Sequence, residues 1–208
     1  MTPRRTRVKI CGLSTDADVV AAAEAGADLV GFVLWQGSPR HVTLERARAL
    51  AALAARHSLE SVALVVDAEP AFLAALGDFD RVQCHGHESC NAVSRAPKPV
   101  LRGFPFSPEA FATWAACPSV DALLVDGPRG GSGEAFDHAP LVPLVAASPK
   151  KVFLAGGLTP ETVGAAIARV RPYGVDVSSG VERTRGVKDP ERMAAFCAAV
   201  RMADALSA

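Results

Sequence analysis

Val8-Lys9-Ile10-Cys11-Gly12 reads as a short buried strand that ends in a cysteine. Gly12 breaks the strand, and Ser14 to Asp16 offers a helix start directly after it. In a barrel of alternating strands and helices, reaction chemistry sits at the C-terminal ends of the strands. Cys11 stands at such an end. Two things are then required of the remaining chain: seven more strand–helix units, and a partner for the thiol.

The units are there. Short apolar runs alternate with alanine-rich, helix-period segments along the whole chain. The strands are expected at Val8–Cys11, Asp28–Leu34, Ser61–Val66, Arg81–Cys84, Pro99–Arg102, Asp121–Val125, Lys151–Ala155 and Gly174–Val177. The helices are expected at Asp16–Ala25, Thr43–Arg56, Pro70–Leu76, His87–Arg95, Pro108–Ala116 and Ala139–Ala146, then from a Thr159 cap with Pro160 in first position to Val170, and at Pro190–Ala205. The strands are near-continuous apolar runs, as strands covered on both faces must be. Eight such units predict an α/β fold, a single-domain (β/α)8 TIM barrel of eight parallel strands spanning residues 1–208. An open doubly wound sheet is the alternative, but no G-x-G-x-x-G follows the first strand.

Composition narrows the function classes. Lys+Arg and Asp+Glu number 22 each, so no broad basic surface for nucleic acid or anionic membrane is expected. No apolar run reaches transmembrane length, and the basic Met1–Arg7 segment lacks a signal-peptide core, so a cytoplasmic protein is expected. The five cysteines are scattered with no C-x-x-C pair. Disulfide scaffolding and structural zinc are not expected, and Cys84, Cys90, Cys117 and Cys197 read as small buried apolar residues. No cluster of His, Cys, Asp and Glu has metal-ligand spacing, so neither a metal nor another cofactor is expected. With zero net charge and no exposed apolar stripe, a monomer is the default and a homodimer stays open.

The strand ends converge on one mouth and carry Cys11, Arg40, Asp67, His85, Arg102, Asp126, Gly156-Gly157 and Asp176 with Ser178-Ser179-Gly180. Glycine loops let backbone N–H groups approach an anion, and the loops after strands seven and eight are this fold's usual phosphate site. Gly156, Gly157, Ser178, Ser179 and Gly180 therefore point to phosphate binding, against the plain reading that they are tight turns. Gly130-Gly131-Ser132-Gly133 adds a third backbone-donor loop able to close over a ligand. A thiol near pKa about 8.5 and a carboxyl near about 3.9 are both one-proton carriers when their surroundings tune them. Cys11 alone would read as packing and Asp126 alone as a cap or an ion pair to Arg129. Together, over a phosphate site, they read as base and acid. Pro39 restrains the backbone before Arg40, whose guanidinium suits a substrate carboxylate. His85 is kept as a substrate contact, and Asp67 and Arg102 as a possible pair in the mouth.

The residues V-K-I-C-G-L, G-A-D-L-V-G-F-V-L with S-P-R, V-Q-C-H-G, D-G-P-R-G-G-S-G-E-A-F-D, L-A-G-G-L-T-P-E-T-V and G-V-D-V-S-S-G-V-E with G-V-K-D run in order from residue 8 to residue 189. Together they closely resemble the phosphoribosylanthranilate isomerase family of tryptophan biosynthesis. The resemblance implies an Amadori rearrangement of N-(5′-phosphoribosyl)anthranilate without a cofactor, with Cys11 as general base and Asp126 as general acid. It implies phosphate on the last three loops, including Gly131, Ser132 and Gly133. It also implies the anthranilate carboxylate near Arg40, and Asp176 close to the substrate. Cys84, Glu134 and His138 depart from the residues common in the family. Two other readings stay open: another phosphosugar barrel, such as an indole-glycerol-phosphate synthase or a ribulose-phosphate epimerase, and a catalytically silent barrel that binds a phosphorylated metabolite.

Overall fold

The computed structural model describes residues 5–127 and 137–206. Eight parallel strands close a ring in sequence order: β1 (Arg7–Cys11), β2 (Leu29–Val33), β3 (Glu60–Val65), β4 (Arg81–Cys84), β5 (Val100–Pro105), β6 (Ala122–Asp126), β7 (Lys151–Leu154) and β8 (Gly174–Val177). β8 pairs back onto β1, where Lys9 lies opposite Asp176 and Ile10 opposite Val177. The helices are α1 (Asp16–Ala25), α2 (Leu44–Arg56), α3 (Pro70–Ala74), α4 (Cys90–Val93), α5 (Pro108–Ala116), α6 (Leu141–Ala147), α7 (Val163–Val170) and α8 (Pro190–Leu206). Helix α8 packs on α1 and α7 and so seals the ring where the chain ends meet.

Local chemistry sets the boundaries. Thr15 and Asp18 form a reciprocal capping box that starts α1, and Gly26 ends it in the left-handed conformation. Thr43 caps α2 by accepting from the Arg46 N–H. Along β1 the side chains alternate: Val8 and Ile10 join the layer between strands and helices, while Lys9 and Cys11 face the barrel axis. The axial filling is a separate small cluster of Leu29, Val62, Leu101, Ala122, Leu124, Phe153 and Ala155. These side chains plug the barrel below its mouth and leave the polar strand ends above them.

The structure corrects two expectations and adds one element. Cys90 and Cys117 are bonded to each other as a disulfide that joins the start of α4 to the end of α5, so they are not separate apolar fillers. Their proximity comes from β4–β5 packing, which spacing along the chain does not reveal. Helix α7 begins at Val163 behind Thr162, because Thr159 and Pro160 belong to a preceding turn in which the Thr162 hydroxyl accepts from the Thr159 N–H. Finally, β9 (Glu182–Thr184) and β10 (Val187–Lys188) form a small antiparallel hairpin between β8 and α8. It is too short to show alternation.

Candidate active site

Cys11, Arg40, His85, Asp126, Gly156, Gly157, Asp176, Ser178, Ser179 and Gly180 all line one cavity of about 470 Å³ at the C-terminal mouth. These are all the expected site residues among those described. Gly131, Ser132 and Gly133 lie outside the described residues.

Cys11 ends β1 and is 4 % exposed. Its carbonyl accepts from the Ser178 hydroxyl at 3.0 Å, which ties β1 to the loop after β8. Burial pushes the thiol up, and Asp176 adds to that; the ammonium groups of Lys9 and Lys188 pull against it. Burial thus outweighs the two cations and favours the thiol.

Asp126 ends β6, buried, with Oδ1 accepting from the Gly127 N–H at 2.8 Å. Its Oδ2 lies 3.6 Å from Nε2 of His85. Nδ1 of His85 in turn contacts the Gln83 amide at 2.9 Å. Gln83 on β4 and His85 just past its end both face the cavity. The amide fixes the imidazole so that its other nitrogen is aimed at the carboxyl.

Arg40 does not stand free in its loop. Its Nε and Nη2 grip Glu182 at 2.6 and 2.9 Å, and Lys188 reaches the same carboxylate at 2.8 Å. Lys188 also donates to the Ser178 carbonyl. Glu182 thus sits between two cations, and although burial opposes it, the Arg40 and Lys188 contacts bring its pKa from 4.5 down to about 2. A depressed carboxylate contributes stability that is complete above 4.5 and drains away as pH falls towards about 2, because in that interval the unfolded chain binds a proton the folded one refuses. Urea unfolding across that window should therefore show a steeper loss for the wild type than for Glu182→Gln. Parallel curves would rule out this account of the Glu182 contacts.

Gly156 and Gly157 both adopt positive φ after β7, and a Cβ on Gly156 would collide with the Gly127 backbone beside Asp126. A Cβ on Gly180 would run into the Leu158 carbonyl. The two loops after β7 and β8 are therefore pressed together as bare backbone, with Arg185 of the hairpin at the cavity's edge. Asp67 and Arg102 do not pair as expected. Asp67 holds His87, while Arg102 is buried against Glu88 and the carbonyls of Cys84 and Gly86.

Reading the sequence missed Lys9, Gln83, Glu182, Lys188 and Trp35. Lys9 carried a signal, being a charge inside an otherwise apolar strand. Glu182 and Lys188 stood in motifs already noted, without a role. Trp35 is 46 % exposed at the rim of the cavity, where a loop tryptophan gives no periodic cue.

Comparison with known proteins finds one family over nearly the whole chain. The family profile described as N-(5′-phosphoribosyl)anthranilate (PRA) isomerase matches residues 8–199. An N-(5′-phosphoribosyl)anthranilate isomerase of Pseudomonas fluorescens is 43 % identical over 204 residues, covering 94 % of this chain and 95 % of its own. The crystal structure of phosphoribosyl anthranilate isomerase from Thermus thermophilus superposes with a TM-score of 0.86 at 37 % identity, covering 95 % of this chain and 99 % of that one. A phosphoribosyl anthranilate isomerase solved in complex with reduced 1-(o-carboxyphenylamino)-1-deoxyribulose 5-phosphate reaches 0.84 at 30 % identity, with the same coverage.

Proposed function

Since the chain belongs to the N-(5′-phosphoribosyl)anthranilate isomerase family, we propose that Cys11 and Asp126 carry out the Amadori rearrangement of that aminoaldose as base and acid, in tryptophan biosynthesis. The observation that carries the reading is the convergence of the Cys11 thiol, the Asp126 carboxyl and two bare-backbone loops on a single cavity.

Asp126 gives a proton to the furanose ring oxygen, the C1′–O bond breaks, and the nitrogen lone pair forms an iminium cation. That cation acidifies the C2′ proton. The Cys11 thiolate takes it, and the C2′–H electron pair becomes the C1′=C2′ bond of an enolamine. Tautomerisation gives the ketone, 1-(2-carboxyphenylamino)-1-deoxyribulose 5-phosphate. The step is internally redox-neutral, so no electron acceptor enters the scheme. Each proton transfer is of the kind worth about 10²- to 10⁴-fold in rate.

The phosphate is assigned to the N–H groups around Gly156, Gly157, Ser178, Ser179 and Gly180, with Gly131, Ser132 and Gly133 on the third loop. The close approach of the first two loops and the nearby Arg185 support this. The anthranilate carboxylate is assigned to Arg40, whose Nη1 is the nitrogen not engaged with Glu182. His85 orients Asp126, and Asp176 faces the substrate from β8. No helix among the described residues is long and apolar enough to cross a membrane. The large exposed apolar side chains among them are Trp35, Val187, Met202 and Leu206, and the proposed working unit is a monomer.

The test is turnover of freshly generated phosphoribosylanthranilate, followed by loss of anthranilate-type fluorescence. Turnover is expected. A protein that binds a product analogue yet leaves the substrate unchanged would instead be the silent phosphometabolite barrel.

A further inference from the structure

Lys9 is among the largest fully buried side chains of the described residues, and it lies on the barrel axis two residues below Cys11. Its Nζ donates to Asp176 at 2.7 Å across the β1–β8 seam. The pair does not behave as a stabilising device. Two charges withdrawn from water cost several kcal/mol each, and an apolar pair of similar volume would do as well or better in that position. The neighbouring cluster shows that apolar filling is what the rest of the axis uses. A cation at this depth is placed for something other than stability.

Its second neighbour is the thiol. A Cβ on Gly31 would meet Cys11 Sγ at 2.8 Å and Lys9 Nζ at 3.2 Å, so sulfur and ammonium crowd onto the same bare spot of β2. Asp176 takes one of three ammonium N–H groups. A thiolate is the acceptor that the remaining N–H groups face once Cys11 ionises. Burial favours neutral Lys9, but Asp176 and then Cys11 outweigh it and raise the lysine, so the side chain stays charged. Resting on the reading of Cys11 as the base, we propose that Lys9 is a positioning residue that stabilises and aims the Cys11 thiolate, with Asp176 holding the ammonium in place.

The charge count supports the arrangement. With Cys11 as a thiol, the Lys9–Asp176 pair is neutral. With Cys11 as a thiolate, one cation lies between two anions, and the iminium then arrives opposite the extra negative charge. After proton transfer the pair is neutral again. The other charged groups around the sulfur are Lys188 and Glu182 from the hairpin and Arg40 from the β2–α2 loop. Lys188 shares the task, but it is tied to Glu182 and its pKa is lowered by burial, so it is the weaker cation.

The experiment titrates the thiolate by its ultraviolet absorbance in native wild type, Lys9→Met and Lys9→Arg. Cys90 is bonded to Cys117, and burial raises Cys11, Cys84 and Cys197 alike, so the Cys11 thiolate is read as the part of the signal that Cys11→Ala removes. In Lys9→Met the midpoint should rise by about one unit or more, a tenfold loss of thiolate at fixed pH. Lys9→Arg should restore it to within about threefold of wild type. Turnover in Lys9→Met should fall with the thiolate, with KM nearly unchanged. An unmoved midpoint overturns the proposal even if turnover drops. A raised midpoint with undiminished turnover leaves Lys9 in control of the thiol and sinks the general-base reading instead. Should Lys9→Met not fold with its unpaired Asp176, the titration is made on Lys9→Met/Asp176→Asn. A raised midpoint is expected there too, because the lysine's pull on Cys11 exceeds the aspartate's push, and an unmoved one overturns the proposal.

Discussion

Cys11→Ser should lower kcat by about 10³- to 10⁴-fold, a barrier increase on the order of 4–5.5 kcal/mol, while KM changes little. The substitution is nearly isosteric and leaves the carbonyl that accepts from Ser178 in place. What it removes is the ionisable sulfur. A serine hydroxyl cannot ionise appreciably in a site where burial already opposes a thiolate. The phosphate and carboxylate contacts lie elsewhere, so ground-state binding should survive. The wild-type kcat/KM should rise with pH as Cys11 ionises, and that alkaline rise should vanish in the variant. Asp126→Asn should cause a comparable loss from the other side of the mouth, since it keeps the Gly127 N–H contact but has no proton to give. The double variant should be little worse than either single one, because the two groups serve one reaction sequence. A Cys11→Ser enzyme retaining more than about a tenth of the wild-type kcat would remove Cys11 from the mechanism, as a general base is worth far more than that.

The barrel could be read from the sequence because each strand is a local apolar run and several helices carry their own caps. β4 at Arg81–Cys84 and β8 at Gly174–Val177 occur where expected. The mouth was legible for the same reason: strand ends fall next to glycines, and the fold brings all eight ends together. What stayed hidden depends on contacts between distant residues. Arg40 meets Glu182 across 142 positions and Lys9 meets Asp176 across 167, and no local pattern encodes either. Glu88 appeared as part of a short helix, yet it anchors a buried arginine. α7 begins later than expected because Thr162, not Thr159, closes the turn with its hydroxyl, a choice between two threonines in T-P-E-T that spacing cannot make.

Glu88 carries the largest expected effect on stability. Its Oε2 accepts from Nη1 of Arg102 at 3.0 Å and from the Gly86 N–H at 2.8 Å, and its Oε1 accepts from the Asp67 N–H at 2.9 Å. The carboxylate thus ties the segments that follow β3 and β4 to β5 on the helix-facing side of the sheet, and both partner side chains are almost wholly buried. Arg102 is further enclosed by the carbonyls of Cys84 and Gly86 and by the Trp114 ring, 4.2 Å from its guanidinium. Burial already depresses the arginine's pKa despite its neighbour. Glu88→Ala leaves that cation without its counter-charge and two backbone donors without an acceptor. Breaking a buried pair from one side costs about 3–5 kcal/mol, which for a domain of this size is roughly 6–20 °C in Tm. Glu88→Ala/Arg102→Met should recover a substantial part of the loss, because the stranded charge goes with its partner. The same bracket supports His85, so Glu88→Ala should also slow turnover at temperatures where the protein is still folded. Thermal unfolding of the three proteins decides between this and a dispensable surface-type pair. A loss below about 1 kcal/mol in Glu88→Ala would mean that water or another group satisfies Arg102, and that the bracket does not hold the mouth in shape.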